Sequence, residues 1–174
     1  MATSTGTPTT PTESRAHPRG AQLAPGELAA WRGFLRVHAA LTKQLDAELS
    51  AVHGLPLRSY EVLLHLTDAP EGRMRMSELA ETVLLSRSGL TRLVDRLQRE
   101  GLVCRESCPS DARGSNAIVT GAGRERLRTA RATHLEGVRE RFLDRFSAAE
   151  QRTLAGYWER LAPGAARGGD ADGC

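Results

Sequence analysis

The chain reads as a mainly α protein with a small β-wing, an α+β winged helix-turn-helix whose N- and C-terminal helices form a dimerisation domain. Three observations predict this. The segment 76–103 has the pattern of a short helix, a tight turn and a longer two-faced helix; a polar-tipped hairpin follows it at once; and apolar-striped helices lie at both ends of the chain.

In the first helix of the central pair, Ser77 is placed to cap the start, and the small Ala80 lets a second helix approach closely. Ser86 is placed to cap that second helix, where Leu90, Leu93, Val94 and Leu97 recur at the spacing of one buried stripe. The opposite face carries Ser88, Thr91, Arg92, Asp95 and Arg99, with Arg87 and Arg96 flanking it, and Gly101 ends the helix as a C′ residue. Hydroxyls and guanidiniums on such a face suit a DNA major groove, where Arg pairs bidentately with guanine and the helix N-terminus favours phosphate. An ordinary solvated charge face is the competing reading. At the turn, Leu84 stands where glycine would supply a left-handed conformation, which costs a leucine roughly 1–2 kcal/mol, so a longer turn of another shape is expected.

Residues 102–107 and 115–119 then read as two strands around the polar tip 108–114, a wing directly after the reading helix. Within the tip, Asp111 lies two residues before Arg113, close enough to hold the guanidinium extended towards a minor groove.

Through Leu79-Ala80, the run Ser86-Arg-Ser-Gly-Leu-Thr-Arg-Leu-Val-Asp-Arg-Leu97, Gly101-Leu-Val103, Asp111-x-Arg113 and Thr120-Gly-x-Gly123, the chain resembles the MarR family of winged-helix transcriptional regulators, from about Glu27 to about Leu161. The resemblance implies a homodimer with interdigitating terminal helices, two lobes reading the half-sites of a palindrome in double-stranded DNA, and repression commonly relieved by a small molecule or oxidant. By position, Arg87, Ser88, Thr91 and Arg92 match the family's base- and phosphate-contacting helix, with Ser86, Arg96 and Arg99 beside them, and Asp111 with Arg113 matches its wing.

Outside this module, Pro25 suits a first helical turn, and Leu28, Trp31, Leu35, His38, Leu41, Leu45, Leu49 and Val52 form a stripe ending near Gly54. Residues 59–66 read as a buried helix beneath the reading head, and Met74 and Met76 as the opening of its sheet. Thr120 is placed to cap a long helix with Leu127, Leu135, Val138 and Phe142 on one side, and Ser147-Ala-Ala-Glu150 is a capping box before Leu154, Trp158 and Leu161. The expected organisation is a tail over 1–24, one domain over 25–162 and a tail over 163–174. Within the domain, 25–54 and 120–162 are dimerisation helices and 57–119 is the winged helix-turn-helix. Both tails are rich in small and polar residues and are expected to be disordered. A second copy would cover the end helices; a monomer folding them onto its own lobe is the alternative.

Composition sets bounds without choosing a function. A chain of 174 residues with 40% hydrophobic content can build one real core, and a pI near 9.1 permits a polyanionic partner. Only Lys43 among the 24 basic residues is a lysine. No apolar run spans a bilayer and the N-terminus lacks a signal-peptide core, so a cytoplasmic location is expected. Enzyme signatures such as a nucleophile elbow or a Gly-rich phosphate loop are missing, and no cofactor is expected. His38, His53, His65 and His134 lack metal-ligand spacing, and no metal is expected.

The resembled family places His38 and His65 beside a cleft that takes aromatic acids or phenols, where Trp31, Arg58 and Tyr60 could add stacking and charge; plain packing is the competing reading for each. Cys104 and Cys108 flank the first wing strand near Arg105 and Arg113, which makes a redox sensor conceivable. The competing reading has Cys104 as a small buried hydrophobe and Cys108 as an inert loop residue. A further alternative uses the winged helix to bind an acidic protein surface.

Overall fold

The computed structural model describes residues 22–108 and 111–163, with the side chains at 108 and 111–113 left out of the description. Most of the two expected tails therefore lies outside the described residues. Among the described residues six α-helices and three strands follow one another as α1 (Pro25–His53), α2 (Leu57–Asp68), β1 (Arg73–Arg75), α3 (Met76–Thr82), α4 (Arg87–Arg99), β2 (Val103–Cys108), β3 (Asp111–Val119), α5 (Gly121–Arg141) and α6 (Ala148–Leu161). Short 3₁₀ turns cover Pro70–Gly72 and Leu143–Arg145. Among the described residues no helix is long and apolar enough to cross a membrane.

The chain divides into two compact units, one up to Arg36 and one from Val37 onward, and α1 contributes to both. In the first, the Ala24 amide donates to Glu27 at 2.8 Å, closing the first turn of α1. Trp31 and Phe34 stack at 6.0 Å between ring centroids, yet Trp31 remains 53% exposed and Phe34 and Leu35 each 45%.

The second unit holds the core. Leu49 of α1, Val62, Leu63 and Leu66 of α2, Leu79 of α3, and Leu90, Val94 and Leu97 of α4 are completely buried together, each contributing about 1.5–3 kcal/mol of transfer free energy. A three-stranded antiparallel sheet in the order β1-β3-β2 closes one side, with Met74 opposite Ala117 and Cys104 opposite Ile118. Capping across the chain joins the helices. The Leu57 amide donates to Asp46 at 2.8 Å, giving α2 the N-terminal acceptor that Pro56 cannot supply, and Arg126 donates to the His53 carbonyl at 2.7 Å at the end of α1. Arg141 of α5 pairs with Glu48 of α1, beside a crossing where a side chain on Gly137 would meet Leu45.

Several sequence expectations hold. Ser86, Thr120 and Ser147 cap α4, α5 and α6, and the Ser147–Glu150 capping box is complete. Others need correction. Ser77 lies inside α3, whose N-cap is Arg75 with no side-chain bond, because β1 runs directly into the helix two residues earlier than the capping signal suggested. Met74 belongs to the sheet, but Met76 already begins α3. The wing strands extend to Cys108 and from Asp111, so the tip is shorter than 108–114. On α5 Leu127 is buried, whereas Leu135 remains 41% exposed.

The turn before α4 gives the largest correction. Leu84 does adopt the left-handed conformation, with φ of 53°. Its amide bonds to Glu81 at 3.2 Å and that of Leu85 to Ala80 at 2.9 Å, the double closure of a Schellman motif. Two backbone bonds of about 0.5–1.5 kcal/mol each are enough to hold a leucine where glycine is the ordinary choice. Leu84 is 86% exposed, so its side chain returns little burial.

Leu84→Gly should therefore raise the urea midpoint, by the equivalent of about 0.5–1 kcal/mol, since relief of left-handed strain exceeds glycine's entropy cost. A lower midpoint would contradict the strain.

Candidate nucleic-acid interface

A helix can present a fixed chemical face only if its own ends and roll are fixed. The Ser86 hydroxyl accepts the Gly89 amide at 3.1 Å at the start of α4. At its far end the Gly101 amide bonds to Gln98 at 3.0 Å and that of Leu102 to Leu97 at 2.9 Å, a second Schellman motif, here with glycine at φ of 73°. Leu90, Val94 and Leu97 hold the inner stripe, while the predicted Leu93 is only partly buried. That roll leaves Ser86, Arg87, Ser88, Thr91, Arg92 and Arg99 exposed.

The face is not uniformly free. The Thr91 hydroxyl donates to the Arg87 carbonyl at 2.9 Å, which leaves its oxygen able to accept. The Ser86 and Ser88 hydroxyls lie 3.4 Å apart. Arg96 turns inward: it donates to the buried Ser59 hydroxyl of α2 at 2.5 Å and its Nε lies 3.9 Å from Glu100. This guanidinium satisfies a polar group under the helix and pins α4 to α2, so it is drawn away from the outward face that helical spacing has it flank.

Arg105 of β2, absent from the sequence-based candidates for DNA contact, joins wing and helix. Its Nη1 lies 2.7 Å from Asp95 and its Nη2 donates to the Thr91 carbonyl at 3.1 Å. Two bonds from one planar group set both the distance and the angle between β2 and α4. The signal in the sequence was a single Arg on a strand opposite an Asp ten residues earlier, which only the fold brings together. The tip residues Asp111 and Arg113 belong to β3, but their side chains lie outside the described residues.

Cys104 is exposed, not a buried hydrophobe, because its position on β2 faces away from the core that takes Val103. Cys104 and Cys108 are four residues apart on one strand, about 13 Å at 3.3 Å per residue. A disulfide requires Cα atoms within about 7 Å, so β2 as folded does not permit a bond between them. The Cys108 side chain lies outside the described residues.

The five effector candidates differ in their surroundings. Trp31 stacks on Phe34, His38 is exposed on α1, and His65 is partly buried on α2. Arg58 pairs with Glu61 at 2.8 Å and donates to the Val83 carbonyl at 3.3 Å. Tyr60 is 2% exposed and packs on His134 of α5, with ring centroids 4.5 Å apart. Burial raises the Tyr60 hydroxyl above its ordinary pKa, with Arg131 opposing and Asp68 adding to the effect. Burial likewise lowers the His134 imidazole, against the pull of Glu61, and the His134 Nδ1 is buried without a partner among the described residues. In the sequence His134 is a lone histidine, and its pairing with Tyr60 depends on packing between α2 and α5. Among the described residues no group of His, Cys, Asp and Glu could hold a metal.

Comparison with known proteins gives concordant results. Residues 53–114 match the family model described as MarR family. The chain is similar to Sco3205, a MarR family transcriptional regulator from Streptomyces coelicolor whose crystal structure is in complex with DNA, at 36% identity and a TM-score of 0.77 over 83% of this chain and 91% of that one. It is also similar to AbsC, a MarR family regulator from the same organism, at 35% identity and a TM-score of 0.75 over 82% and 95% of the two chains. The transcriptional repressor YetL of Bacillus subtilis is 29% identical over 115 residues, 64% of this chain and 69% of YetL.

Two predictions follow from the bonds described. Asp95→Asn weakens a partly exposed ion pair and should cost less than about 1 kcal/mol of unfolding free energy, yet should accelerate amide hydrogen exchange in β2 and β3; unchanged exchange would show that the wing is held otherwise. For His134, the unfolded ring titrates near about 6.5, and the folded ring below that. The unfolded state thus takes up its proton first, and the ring's contribution is complete above about pH 6.5 and lost as pH falls through the folded value. His134→Phe should flatten the decline of denaturant stability as pH falls below about 6.5, and an unchanged slope would assign that decline to other groups.

Proposed function

This chain belongs to the MarR family of DNA-binding transcriptional regulators and is not an enzyme, and on that premise we propose that it acts as a homodimeric repressor of a palindromic operator, released by a small aromatic or phenolic effector. The observation that carries the reading is the outward face of α4. Arg87, Ser88, Thr91, Arg92 and Arg99 lie exposed on a helix whose two ends are capped and whose roll is set by three buried side chains. Arg92, with neither an ion pair nor a neighbouring acceptor to divert it among the bonds described above, is the residue assigned to a guanine edge, and Arg87 and Ser88 to the flanking backbone. The wing residues Asp111 and Arg113 are assigned to the adjacent minor groove on the family resemblance. As an intracellular DNA ligand, the protein would work in the cytoplasm.

Apolar exposure supports the homodimer. Trp31, Phe34, Leu35 and Val37 on α1, Leu135 on α5, and Tyr157 and Leu161 on α6 are each at least 41% exposed, and Leu161 reaches 76%. A second copy of the chain is the occupant that a two-fold operator requires, with paired reading helices about one DNA turn, roughly 34–36 Å, apart. The effector reading rests on the seam between α2 and α5, where Tyr60 packs on His134 and an imidazole nitrogen lacks an acceptor or donor among the described residues. A phenol or aromatic carboxylate offers both a ring and a hydrogen-bonding group for that place.

Titration of the purified protein against duplexes tiling the region upstream of its own gene, with random duplex as competitor, tests the central reading. One inverted repeat should resist the competitor, and Arg92→Ala should weaken it by about 1–3 kcal/mol with little effect on random DNA. Binding that random DNA erases everywhere would favour a winged helix facing an acidic protein surface. Light scattering of the free protein should give twice the 18.8 kDa chain mass; a monomeric mass at micromolar concentration would contradict the homodimer.

A further inference from the structure

Three consecutive residues of α2 reach three different places. The Arg58 guanidinium donates at 3.3 Å to the Val83 carbonyl at the end of α3, the Ser59 hydroxyl accepts Arg96 of α4 at 2.5 Å, and the Tyr60 ring packs on His134 of α5. The next residue, Glu61, links two of these. It accepts from Arg58 at 2.8 Å, and its charge acts on the His134 imidazole. We propose that His134, Glu61 and Arg58 form a proton-controlled latch on the turn before α4: a proton on His134 draws Glu61 off Arg58, Arg58 releases the Val83 carbonyl, and the protein lets go of its operator. The inference rests on the DNA-binding reading above and adds to it a response to acid.

The His134 Nδ1 is buried without a partner among the described residues, so no bond compensates a charge there. Around the ring stand Tyr60 and Glu61 of α2, with His65 one turn beyond Glu61, Arg131 one turn earlier on α5, and His53 of α1, which bonds to Thr133 at 2.8 Å; Asp68 acts on Tyr60. Glu61 is the carboxylate among them whose charge acts on His134. A buried imidazolium needs such a partner. The Arg58–Glu61 pair, with side chains 46% and 31% exposed, gains little from staying together. Once the ring is charged, the carboxylate therefore moves inward.

The turn depends on the support it would lose. Leu84 holds a left-handed conformation with its side chain in solvent, so backbone bonds and their neighbours keep it there. One nitrogen of Arg58, Nη1, serves both Glu61 and the Val83 carbonyl, and the bond to Val83 is the longer of the two. Without Glu61, a long and partly exposed side chain is left with that one bond, which does not offset the rotamer freedom it regains in water. Val83 precedes the strained residue, and three residues after it Ser86 caps α4. Loosening there displaces the first turn of α4, which carries Arg87 and Ser88. The sign is diagnostic. Added positive charge by itself strengthens attraction to DNA, whereas the latch weakens binding as acid is added.

The test uses the full-length protein and its operator duplex, with anisotropy titrations from about pH 7.5 to about pH 5.5 at fixed ionic strength. Wild-type affinity for the operator should fall with acid, by at most about tenfold per pH unit for each lobe. His134→Phe should bind tightly at every pH, whereas Arg58→Gln and Glu61→Gln should bind weakly at neutral pH and change little on acidification. Without DNA, the amide-exchange protection of Leu84 and Leu85 should fall with acid in the wild type and hold in His134→Phe. A wild-type affinity that stays level or rises with acid, with the operator still preferred, would overturn the latch and leave the DNA reading intact. So would a loss of affinity that persists in His134→Phe or Arg58→Gln, or that vanishes only in His53→Gln or His65→Gln. A wild type that prefers no sequence at neutral pH would overturn both readings. A circular dichroism melt matching the wild type is required of each variant, and the wild-type titration and exchange test the latch with no variant at all.

Discussion

Around Leu102, three elements make demands on the same few backbone atoms. Its amide closes the Schellman motif of α4, and its carbonyl accepts the Thr120 amide at 3.1 Å. Thr120 in turn donates its hydroxyl to the Gly101 carbonyl at 2.7 Å and accepts the Gly123 amide at 3.0 Å. The end of the reading helix, the root of the wing and the start of α5 are thus a single hydrogen-bonded junction. Gly123 is what lets them meet, since a Cβ there would fall on the Leu102 carbonyl oxygen and against Val119. Gly101 supplies the left-handed turn that starts the arrangement.

The orientation of the interface depends on that junction. The wing leaves it as β2, and Arg105, two residues along from Val103, reaches back to Asp95 and Thr91 on α4. Helix and wing are therefore bonded at the root and again near the middle, which fixes an angle where a single contact would leave a hinge. On the other side of α4, Arg96 and Ser59 tie the helix to α2, and α2 packs on α5 through Tyr60 and His134. A change between α2 and α5 therefore has a continuous line of contacts to the outward face of α4.

The two Schellman motifs show how little of such geometry depends on one residue type. Both ends use the same pair of backbone bonds, but one employs Gly101 and the other Leu84. At the first, local preference and tertiary need agree. At the second, the burial of Val83 at 3% exposure and the partial burial of Leu85 on either side of an exposed Leu84 force a conformation that local preference disfavours. A reading of the sequence that weighs only the strain of a left-handed leucine arrives at the wrong turn, because the favourable terms come from the neighbours.

By itself the sequence determined the periodic and the local: the buried stripe Leu90, Val94 and Leu97, the caps at Ser86, Thr120 and Ser147, the C′ glycine at 101, and the hairpin after it. These depend on contacts within about four residues, which the spacing of residue types records directly. Tertiary structure alone decided where the long side chains end. Arg92 faces outward while Arg96 bonds to Ser59, Arg105 latches onto α4, Cys104 faces solvent, and Arg75 comes to line one groove with Arg87 and Ser115. Helical spacing fixes a Cβ direction but not the position of a guanidinium several bonds further out, which goes to whichever acceptor the fold brings within reach.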